Sequence, residues 1–277
     1  MPELPEVETV KNGITPAMQG ATIQEIVVRE RRFRKPIPAE LESLAKNQQI
    51  IAIRRRAKYL LIDLANQQTI IIHLGMSGNL TLQTPDSPLL KHDHVIFKFT
   101  DSQGNIGEAR LNDPRRFGLV DIIASEQVNQ LLYIKSLGVE PLSDEFTGEY
   151  LYKQLKKRSI PIKVAVMDSK LVVGVGNIYA SEALFRAKIC PTNVANQVSL
   201  SRYNTLVSTI KEVLNDAILA GGSTLKDHLQ SDGSIGHFQY NFKVYGRENL
   251  ACETCKNDIL KVILAQRSSF YCPVCQR

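Results

Sequence analysis

Cys252-Glu253-Thr254-Cys255 and Cys272-Pro273-Val274-Cys275 are two Cys-x2-Cys pairs near the C-terminus of the chain. Sixteen residues separate the pairs, and strand patterns at 261–264 and 269–271 predict a β-hairpin between them. Four thiolates brought together in this way form the tetrahedral ligand set that zinc prefers, and they leave no open position on the metal. The sequence therefore predicts one structural Zn2+, with an iron–sulfur cluster as the less favoured alternative.

The charge of the chain is unevenly distributed. Its net charge is +6, but residues 1–150 carry −2 and residues 151–277 carry +8. A basic C-terminal half favours a polyanionic partner, most simply nucleic acid, although a solvated basic surface has the same composition. Neither a signal-peptide pattern nor a long apolar span occurs. We therefore expect a cytoplasmic or nucleoid-associated protein without a membrane contact.

The first half of the chain combines one amphipathic helix with many short strands. Apolar residues recur at helical spacing at Leu4, Val7, Val10 and Ile14, and Pro5 suits a first helical turn. A short helix is predicted at 39–46. Segments rich in β-branched residues predict strands at 23–28, 49–54, 59–64, 69–74, 94–99, 106–111 and 118–123. This pattern is typical of a β-sandwich or barrel with helices attached.

After Ser125 the apolar residues recur with a helical period. Helices are predicted at 126–136, 148–157, 178–186 and 202–220. The pair Gly221-Gly222 ends the last of them. We therefore predict an α+β fold with an N-terminal β-sandwich and flanking helices, then an all-helical domain, then a C-terminal β-hairpin zinc finger.

The N-terminus offers a reactive group. Removal of Met1 would leave Pro2 as a secondary amine, and an α-amino group titrates near about 8, so a useful fraction is nucleophilic at neutral pH. Glu3 and Glu6 lie one helical turn apart and share a face. This placement allows one carboxyl group to act as a general acid and the other as an anchoring group. Acidic residues also simply favour a helix N-terminus, and these residues alone favour that second interpretation.

Several motifs resemble the formamidopyrimidine-DNA glycosylases, a bacterial DNA repair family also called Fpg or MutM. They span nearly the whole chain in the order of the family. The motifs are Pro2-Glu3-Leu4-Pro5-Glu6-Val7-Glu8, Ala57-Lys58-Tyr59-Leu60, His73-Leu74-Gly75-Met76-Ser77-Gly78, Asn112-Asp113-Pro114-Arg115-Arg116-Phe117-Gly118, Gly174-Val175-Gly176-Asn177-Ile178-Tyr179-Ala180-Ser181-Glu182 and the cysteine module.

The resemblance implies a domain organisation. A catalytic β-sandwich domain with its N-terminal helix is expected at 1–134, and a helix–two-turns–helix DNA-binding domain at 135–225. A base-capping loop and the zinc finger are expected at 226–277. The resemblance further implies a monomer that binds double-stranded DNA containing damaged bases, in a cleft between the two halves, without a nucleotide cofactor.

The resemblance also implies a bifunctional glycosylase and AP lyase. Pro2 matches the Schiff-base nucleophile, and Glu3 matches the general acid. Lys58 and Arg267 match the proton donors of β- and δ-elimination, while Glu6 belongs to the pocket for the damaged base. Without the resemblance, Lys58 would be interpreted as one more cation beside Arg54-Arg55-Arg56 on a phosphate-facing strand. Arg267 would be interpreted as a phosphate contact at a hairpin turn.

Further residues match the DNA contacts of the family. Base chemistry requires the damaged nucleotide to leave the stack. Met76, Arg115 and Phe117 match the residues that fill the gap, although Met76 and Phe117 alone would be assigned to the core. Asn177 follows Gly174-x-Gly176 at a helix start and matches a phosphate clamp, with a plain helix cap as the alternative. Lys163, Arg158 and His92 are expected to contact the DNA backbone.

Two other functions are compatible with parts of the sequence. An endonuclease VIII-type glycosylase for oxidised pyrimidines shares the chemistry, but it does not match Leu4-Pro5, the Arg115 and Phe117 pair, or the predicted base-capping loop at 224–237. A zinc-finger DNA-binding protein without catalysis explains the charge and the cysteines. It does not explain a Pro2-Glu3 opening together with Lys58. We therefore expect excision of oxidised purines.

Overall fold

The computed structural model describes residues 2–223 and 230–277. The chain divides into two compact units, Met1–Lys135 with Ala220–His237, and Ser136–Leu219 with Phe238–Arg277. The finer division into three domains stays a prediction. Residues 224–229 of the predicted base-capping loop lie outside the described residues. In the described ranges, no helix combines the length and apolar character that crossing a membrane requires.

The first unit begins with a helix and continues as a series of antiparallel strands. Its regular elements are α1 (Leu4–Met18), β1 (Thr22–Val28), α2 (Leu41–Ala45), β2 (Gln48–Arg56), β3 (Tyr59–Leu64), β4 (Gln68–His73), β5 (Asn79–Gln83), β6 (Asp93–Thr100), β7 (Ile106–Asn112) and β8 (Leu119–Ala124). The sequence missed β5, because only two of its five residues are apolar.

The eight strands form one open sheet in the order β5-β7-β6-β1-β2-β3-β4-β8. The pairing of β1 with β2 is limited to Thr22 with Gln49 and Ile23 with Gln48. The sheet therefore turns a corner there, and its two four-stranded halves enclose one apolar core with α1 and α2. This arrangement confirms the predicted β-sandwich.

The run Ile70-Ile71-Ile72 on β4 is buried on both faces of the sheet. Ile70 and Ile72 belong to the sandwich core, whereas Ile71 packs on the other face in a smaller cluster with Val128 and Ile134. The predicted continuous helix at 126–136 is wrong. The chain forms a 3-10 helix at Ser125–Gln130 and a short helix α3 at Leu132–Lys135, broken where Leu131 adopts extended backbone with ψ 128°.

The second unit contains four α-helices, two short 3-10 helices at Ala195–Gln197 and Phe238–Asn241, and one hairpin among its described residues. The α-helices and strands are α4 (Gly148–Leu155), α5 (Ile162–Val166), α6 (Asn177–Arg186), α7 (Leu200–Leu219), β9 (Leu260–Leu264) and β10 (Arg267–Tyr271). Of these, only α5 was not predicted, because five residues are too few to show a helical period. An all-helical segment followed by a two-stranded hairpin confirms the predicted α+β class.

A glycine in the middle of α1 is explained by a close contact. A Cβ built at Gly13 would lie 1.8 Å from the Oγ of Ser231. The backbone N–H of Leu82 also donates to the carbonyl oxygen of Ser231, at 2.6 Å. Residue 13 therefore has no side chain because the segment that contains Ser231 packs directly on α1.

Replacing Gly13 by Ala is expected to lower the stability of the protein. Helix propensity alone favours Ala by up to about 1 kcal/mol, but overpacking against Ser231 costs roughly 1–3 kcal/mol. Thermal unfolding should show a lower Tm for Gly13→Ala and a recovery in the double variant Gly13→Ala with Ser231→Gly. A higher Tm in the single variant would contradict the close contact.

Candidate functional site

The N-terminal end of α1 is buried and held by a carboxylate. Pro2 is buried, and Glu3 and Glu6 are 3% and 1% exposed. The backbone N–H of Glu3 donates to Oε2 of Glu6 at 2.7 Å, which forms one half of a capping box. The backbone N–H and the hydroxyl of Ser223 both donate to Oε1 of Glu6, at 2.8 and 2.9 Å. Glu6 therefore fixes the start of the chain.

The contact between Glu6 and the segment at 220–223 and the backbone conformation of Gly222 both disfavour a side chain at that position. Gly222 has φ +79°, and a Cβ there would lie 3.1 Å from Cγ of Glu6. The backbone N–H of His237 donates to the carbonyl oxygen of Ala220 at 3.0 Å, and His237 also forms a β-bridge with Ser223, so the chain at 220–223 lies against His237. Glu6, predicted to belong to a base pocket, thus lies beside the root of the predicted base-capping loop.

Lys58 lies in the turn between β2 and β3, not on a strand as its sequence context indicated. β2 ends at Arg56 and β3 begins at Tyr59. Ala57 has φ +54°, a left-handed conformation that allows this tight reversal. Lys58 is half-buried. The turn therefore presents a partly enclosed ammonium group.

His73 at the end of β4 is a site residue that the sequence did not single out. Burial lowers the pKa of His73 to about 4, with further lowering by the charges of Lys58 and Arg34. Its Nδ1 accepts a hydrogen bond from the backbone N–H of Gly75 at 2.9 Å. A neutral imidazole is required for this bond, because a protonated Nδ1 is no acceptor. His73 therefore holds the loop that carries Met76.

Three predicted gap-filling residues are exposed rather than buried in the core. Met76 is 42% and Phe117 is 46% exposed. The guanidinium carbon of Arg115 lies 4.6 Å from the centroid of the Phe117 ring, a cation–π contact. Large apolar side chains left in solvent, on two loops of one unit, are available to a partner.

Asp113 joins these two loops and was also missed by the sequence. Its side chain is fully buried. Oδ1 accepts from the hydroxyl of Ser77 at 2.8 Å and from the backbone N–H of Arg115 at 3.3 Å, and Oδ2 accepts from the backbone N–H of Gly118 at 2.9 Å. One carboxylate therefore fixes the loop that contains Met76 against the loop that contains Phe117.

The His92-Asp93-His94 motif has the features of a braced loop. Asp93 is 3% exposed and accepts hydrogen bonds from the side-chain amide of Asn112 at 2.8 Å and the backbone N–H of Leu90 at 2.9 Å. His92 is half-buried. Within 2–223 and 230–277, the cysteines form the one cluster with the geometry of a metal site, as the sequence indicated.

The four cysteines of the second unit fit a zinc ion. Their Sγ atoms all lie within 4.8 Å of one another, with 3.9 Å between Cys252 and Cys275 and 3.4 Å between Cys255 and Cys272. A tetrahedral zinc with bonds of about 2.3 Å places its sulfur ligands about 3.8 Å apart. All four are free thiols. This geometry and a zinc-finger family match, given below, confirm one structural zinc.

Arg267 is the first residue of β10, directly after the turn in which the sequence placed it. Ala265 and Gln266 form that turn with φ +45° and +62°. Two successive positive φ values are typical of the type I′ hairpin turn, which usually takes Asn and Gly. Arg267 is exposed, so the hairpin projects a guanidinium group beside its turn.

Lys163 and Asn177 meet the zinc-binding hairpin. Lys163 is 1% exposed, and its Nζ donates to Oδ1 of Asn177 at 2.7 Å and to the Oγ of Ser269 at 2.7 Å. The amide of Asn177 and the Nζ of Lys163 both donate to the carbonyl oxygen of Ser268. Asn177 is not the helix cap, because Gly176 occupies that position.

The burial of Lys163 does not fit the predicted direct contact of this side chain with DNA. A direct phosphate contact would require this buried ammonium group to give up acceptors it already holds. Arg158, another predicted contact, forms an ion pair with Asp168 at 3.0 Å and is 41% exposed. It remains accessible to a second anion.

Glu182 on α6 is a further residue that the sequence left without a role. It is 2% exposed, and its carboxylate accepts the backbone N–H groups of Lys243, Val244 and Tyr245 at 2.8–3.0 Å. Burial raises the pKa of Glu182, while these three hydrogen bonds oppose the change. Glu182 fixes the segment that leads into the zinc finger.

Known families match three successive parts of the chain. Residues 1–120 match the formamidopyrimidine-DNA glycosylase N-terminal domain. Residues 137–228 match the formamidopyrimidine-DNA glycosylase H2TH domain. Residues 250–277 match the zinc finger found in FPG and IleRS.

Whole proteins and solved structures give the same result. The formamidopyrimidine-DNA glycosylase of Hahella chejuensis is 46% identical over 277 residues, covering 100% of both chains. Wild-type Lactococcus lactis Fpg (MutM), in complex with DNA containing N7-benzyl-Fapy-dG, has a TM-score of 0.90 at 35% identity and 100% coverage of both chains. L. lactis Fpg with abasic-site DNA has a TM-score of 0.89 at 35% identity, covering 99% of each chain.

Loss of the metal is expected to disorder the hairpin that carries Arg267. Cys272→Ser removes one of four ligands, so the purified variant should contain less than one zinc per chain by atomic absorption and should bind duplex DNA more weakly. Cys190→Ser is the matched control, because Cys190 lies outside the cluster. Unchanged DNA affinity after verified metal loss would contradict a structural role for zinc.

His73 should make stability depend on pH. Because its folded pKa of about 4 lies below the unfolded value of about 6.5, the unfolded state binds more protons between these values, and stability falls as pH decreases. From pH 7 to pH 5 the loss is about 2 kcal/mol. Urea unfolding should show that His73→Gln loses correspondingly less stability than the unmodified protein over this range. An equal pH dependence in both proteins would rule out a neutral buried imidazole.

Proposed function

The chain belongs to the formamidopyrimidine-DNA glycosylase family, and we propose that it excises oxidised purines from double-stranded DNA and then cleaves the strand. The substrates are 8-oxoguanine and formamidopyrimidines, and the protein acts as a bifunctional DNA glycosylase and AP lyase of base excision repair. The observation that carries this proposal is the buried opening Pro2-Glu3, anchored by Glu6 in a chain that matches the family along its whole length.

Base excision begins at Pro2. After removal of Met1 the secondary amine of Pro2 attacks C1′ of the damaged nucleotide, and the bond between C1′ and the base breaks with its electron pair going to the base, which takes up the proton that the amine loses. Glu3 donates a proton to the ring oxygen of the sugar, which opens. The product is a cationic iminium that joins Pro2 to C1′, and burial of the amine favours its neutral, nucleophilic form.

Strand cleavage follows from the iminium. It acidifies the C2′ proton, which leaves to solvent, and the enamine so formed expels the 3′ phosphate by breaking the C3′–O bond. Lys58 donates a proton to the departing phosphate oxygen. A second elimination removes the C4′ proton to solvent and breaks the C5′–O bond, with Arg267 as the proton donor to the departing phosphate oxygen, and water then releases the sugar fragment from Pro2. No oxidant or reductant is consumed.

The exposed loops of the first unit support extrusion of the base. Met76 and Phe117 are apolar wedges that fill the gap in the stack, and Arg115 hydrogen-bonds the base left without its partner. Their exposure and the rigid link through Asp113 suit this role. His92 contacts the DNA backbone, and Glu6 belongs to the pocket for the extruded base.

The second unit binds phosphates. The glycines before α6 place no side chains at the helix N-terminus, where backbone N–H groups favour anions, and half-buried Asn177 clamps a phosphate there. Lys163 supports Asn177 and the hairpin from within, because it already donates to both. Zinc supplies structural stability to the hairpin when it is bound by its four cysteines. Arg158 adds a peripheral phosphate contact.

A blocked N-terminus separates this mechanism from DNA binding alone. We expect a chain with a Gly-Ser extension before Pro2 to bind DNA and fail to cleave it, because Pro2 is then an amide nitrogen. The substrate is a duplex with one 8-oxoguanine opposite cytosine, and the matched control carries the same extension at the C-terminus. Nicking by the N-terminally extended chain would contradict the proposed nucleophile.

The same assay with thymine glycol in place of 8-oxoguanine tests the substrate class. We expect faster cleavage of the 8-oxoguanine duplex and products that carry phosphates at both ends of the gap, as β,δ-elimination requires. A preference for thymine glycol would assign the protein to the oxidised-pyrimidine glycosylases. Base release without strand cleavage would remove the lyase step from the proposal.

A further inference from the structure

Three consecutive arginines precede the turn that carries Lys58, and the proposed mechanism uses none of them. Adjacent residues of a strand face opposite sides of the sheet. Arg54 forms a two-pronged ion pair with Asp63 on β3, and its side chain is 51% exposed. Arg55 has a side chain that is only 10% exposed. The two neighbours therefore have different environments.

Arg55 connects the Lys58 turn to α1. Its Nε donates to Oε2 of Glu8 at 2.6 Å, and its Nη1 donates to the carbonyl oxygen of Ala57 at 2.9 Å. Ala57 holds the left-handed conformation on which the reversal depends. One rigid guanidinium group thus bonds both the residue before Lys58 and the helix that follows Pro2.

Glu8 is a suitable anchor for this contact. Burial raises the pKa of Glu8, but hydrogen bonds from Lys11 and Arg55 outweigh this effect and hold the pKa below its ordinary value. One carboxylate oxygen accepts from Lys11 and the other from Arg55. The carboxylate is therefore ionised at neutral pH, when the contact to Arg55 is needed.

We infer that Arg55 is a positioning residue that keeps Lys58 at a fixed place relative to the N-terminal end of α1. The inference rests on the proposed roles of Pro2 and Lys58. Base excision uses groups at the start of α1 itself, whereas β-elimination requires the Lys58 ammonium to reach a sugar bound to Pro2. Loosening the turn therefore slows strand cleavage more than base excision.

The test measures the two steps separately on one duplex. Arg55→Met removes both hydrogen bonds and retains an apolar stem of similar length. In single-turnover reactions with 8-oxoguanine opposite cytosine, base release should stay close to that of the unmodified protein. Strand cleavage should slow by about 100-fold, the effect expected of a displacement near 1 Å. Arg54→Met breaks the ion pair with Asp63 instead and is the matched control: it should leave the ratio of strand cleavage to base release unchanged.

Two further variants, Glu8→Gln and Lys58→Ala, distinguish a failure of this inference from a failure of the proposed mechanism. Glu8→Gln weakens the anchor and should slow cleavage selectively in the same direction. If Lys58→Ala slows cleavage and Arg55→Met does not, the inference is overturned while the proposed mechanism stands. If Lys58→Ala cleaves normally, both the role of Lys58 and the inference are wrong. A parallel loss of base release and cleavage in Arg55→Met, accompanied by a lower Tm, would indicate a structural role alone and would also overturn the inference.

Discussion

The first unit depends on how the N-terminal end of α1 is buried. A carboxylate at Glu6 accepts the backbone N–H of Glu3 and two hydrogen bonds from Ser223, so the chain start and a segment more than 200 residues later share one acceptor. An uncompensated buried carboxylate is costly, and the cost is offset only when these donors are in place. The hydrogen bonds to Glu6 therefore keep Pro2 buried and hold the segment at 220–223 against the start of α1.

Buried charged groups have the same function elsewhere in the chain. Asp113 joins two loops through one carboxylate, Lys163 joins the start of α6 to the zinc-binding hairpin, and Glu182 holds the segment at 243–245. Asp113 lies between the loops that carry Met76 and Phe117, and Lys163 contacts Asn177 directly. Hydrogen-bonded buried polar groups thus fix loops and segments that carry proposed site residues, which is the arrangement that preorganised catalysis needs.

The sequence predicted the parts of the structure that have local signals. Cysteine spacing predicted the zinc site, segments rich in β-branched residues predicted seven of the eight sandwich strands, and family motifs named the candidate site residues. Features set by tertiary contacts were not predictable. Arg54 and Arg55 are indistinguishable in the sequence, and their difference arises from Asp63 and Glu8. The break at Leu131 arises from packing, and the buried role of Lys163 arises from Ser268 and Ser269.

Trapping with borohydride tests the central claim most directly. Reduction of the iminium converts a transient bond into a stable one, so the chain is incubated with 8-oxoguanine duplex and borohydride and the adduct is mapped by peptide sequencing. The account predicts a single covalent adduct at Pro2, formed with the damaged duplex and absent with undamaged DNA. An adduct at a lysine such as Lys58, or cleavage of the damaged strand with no trapped adduct, would contradict it.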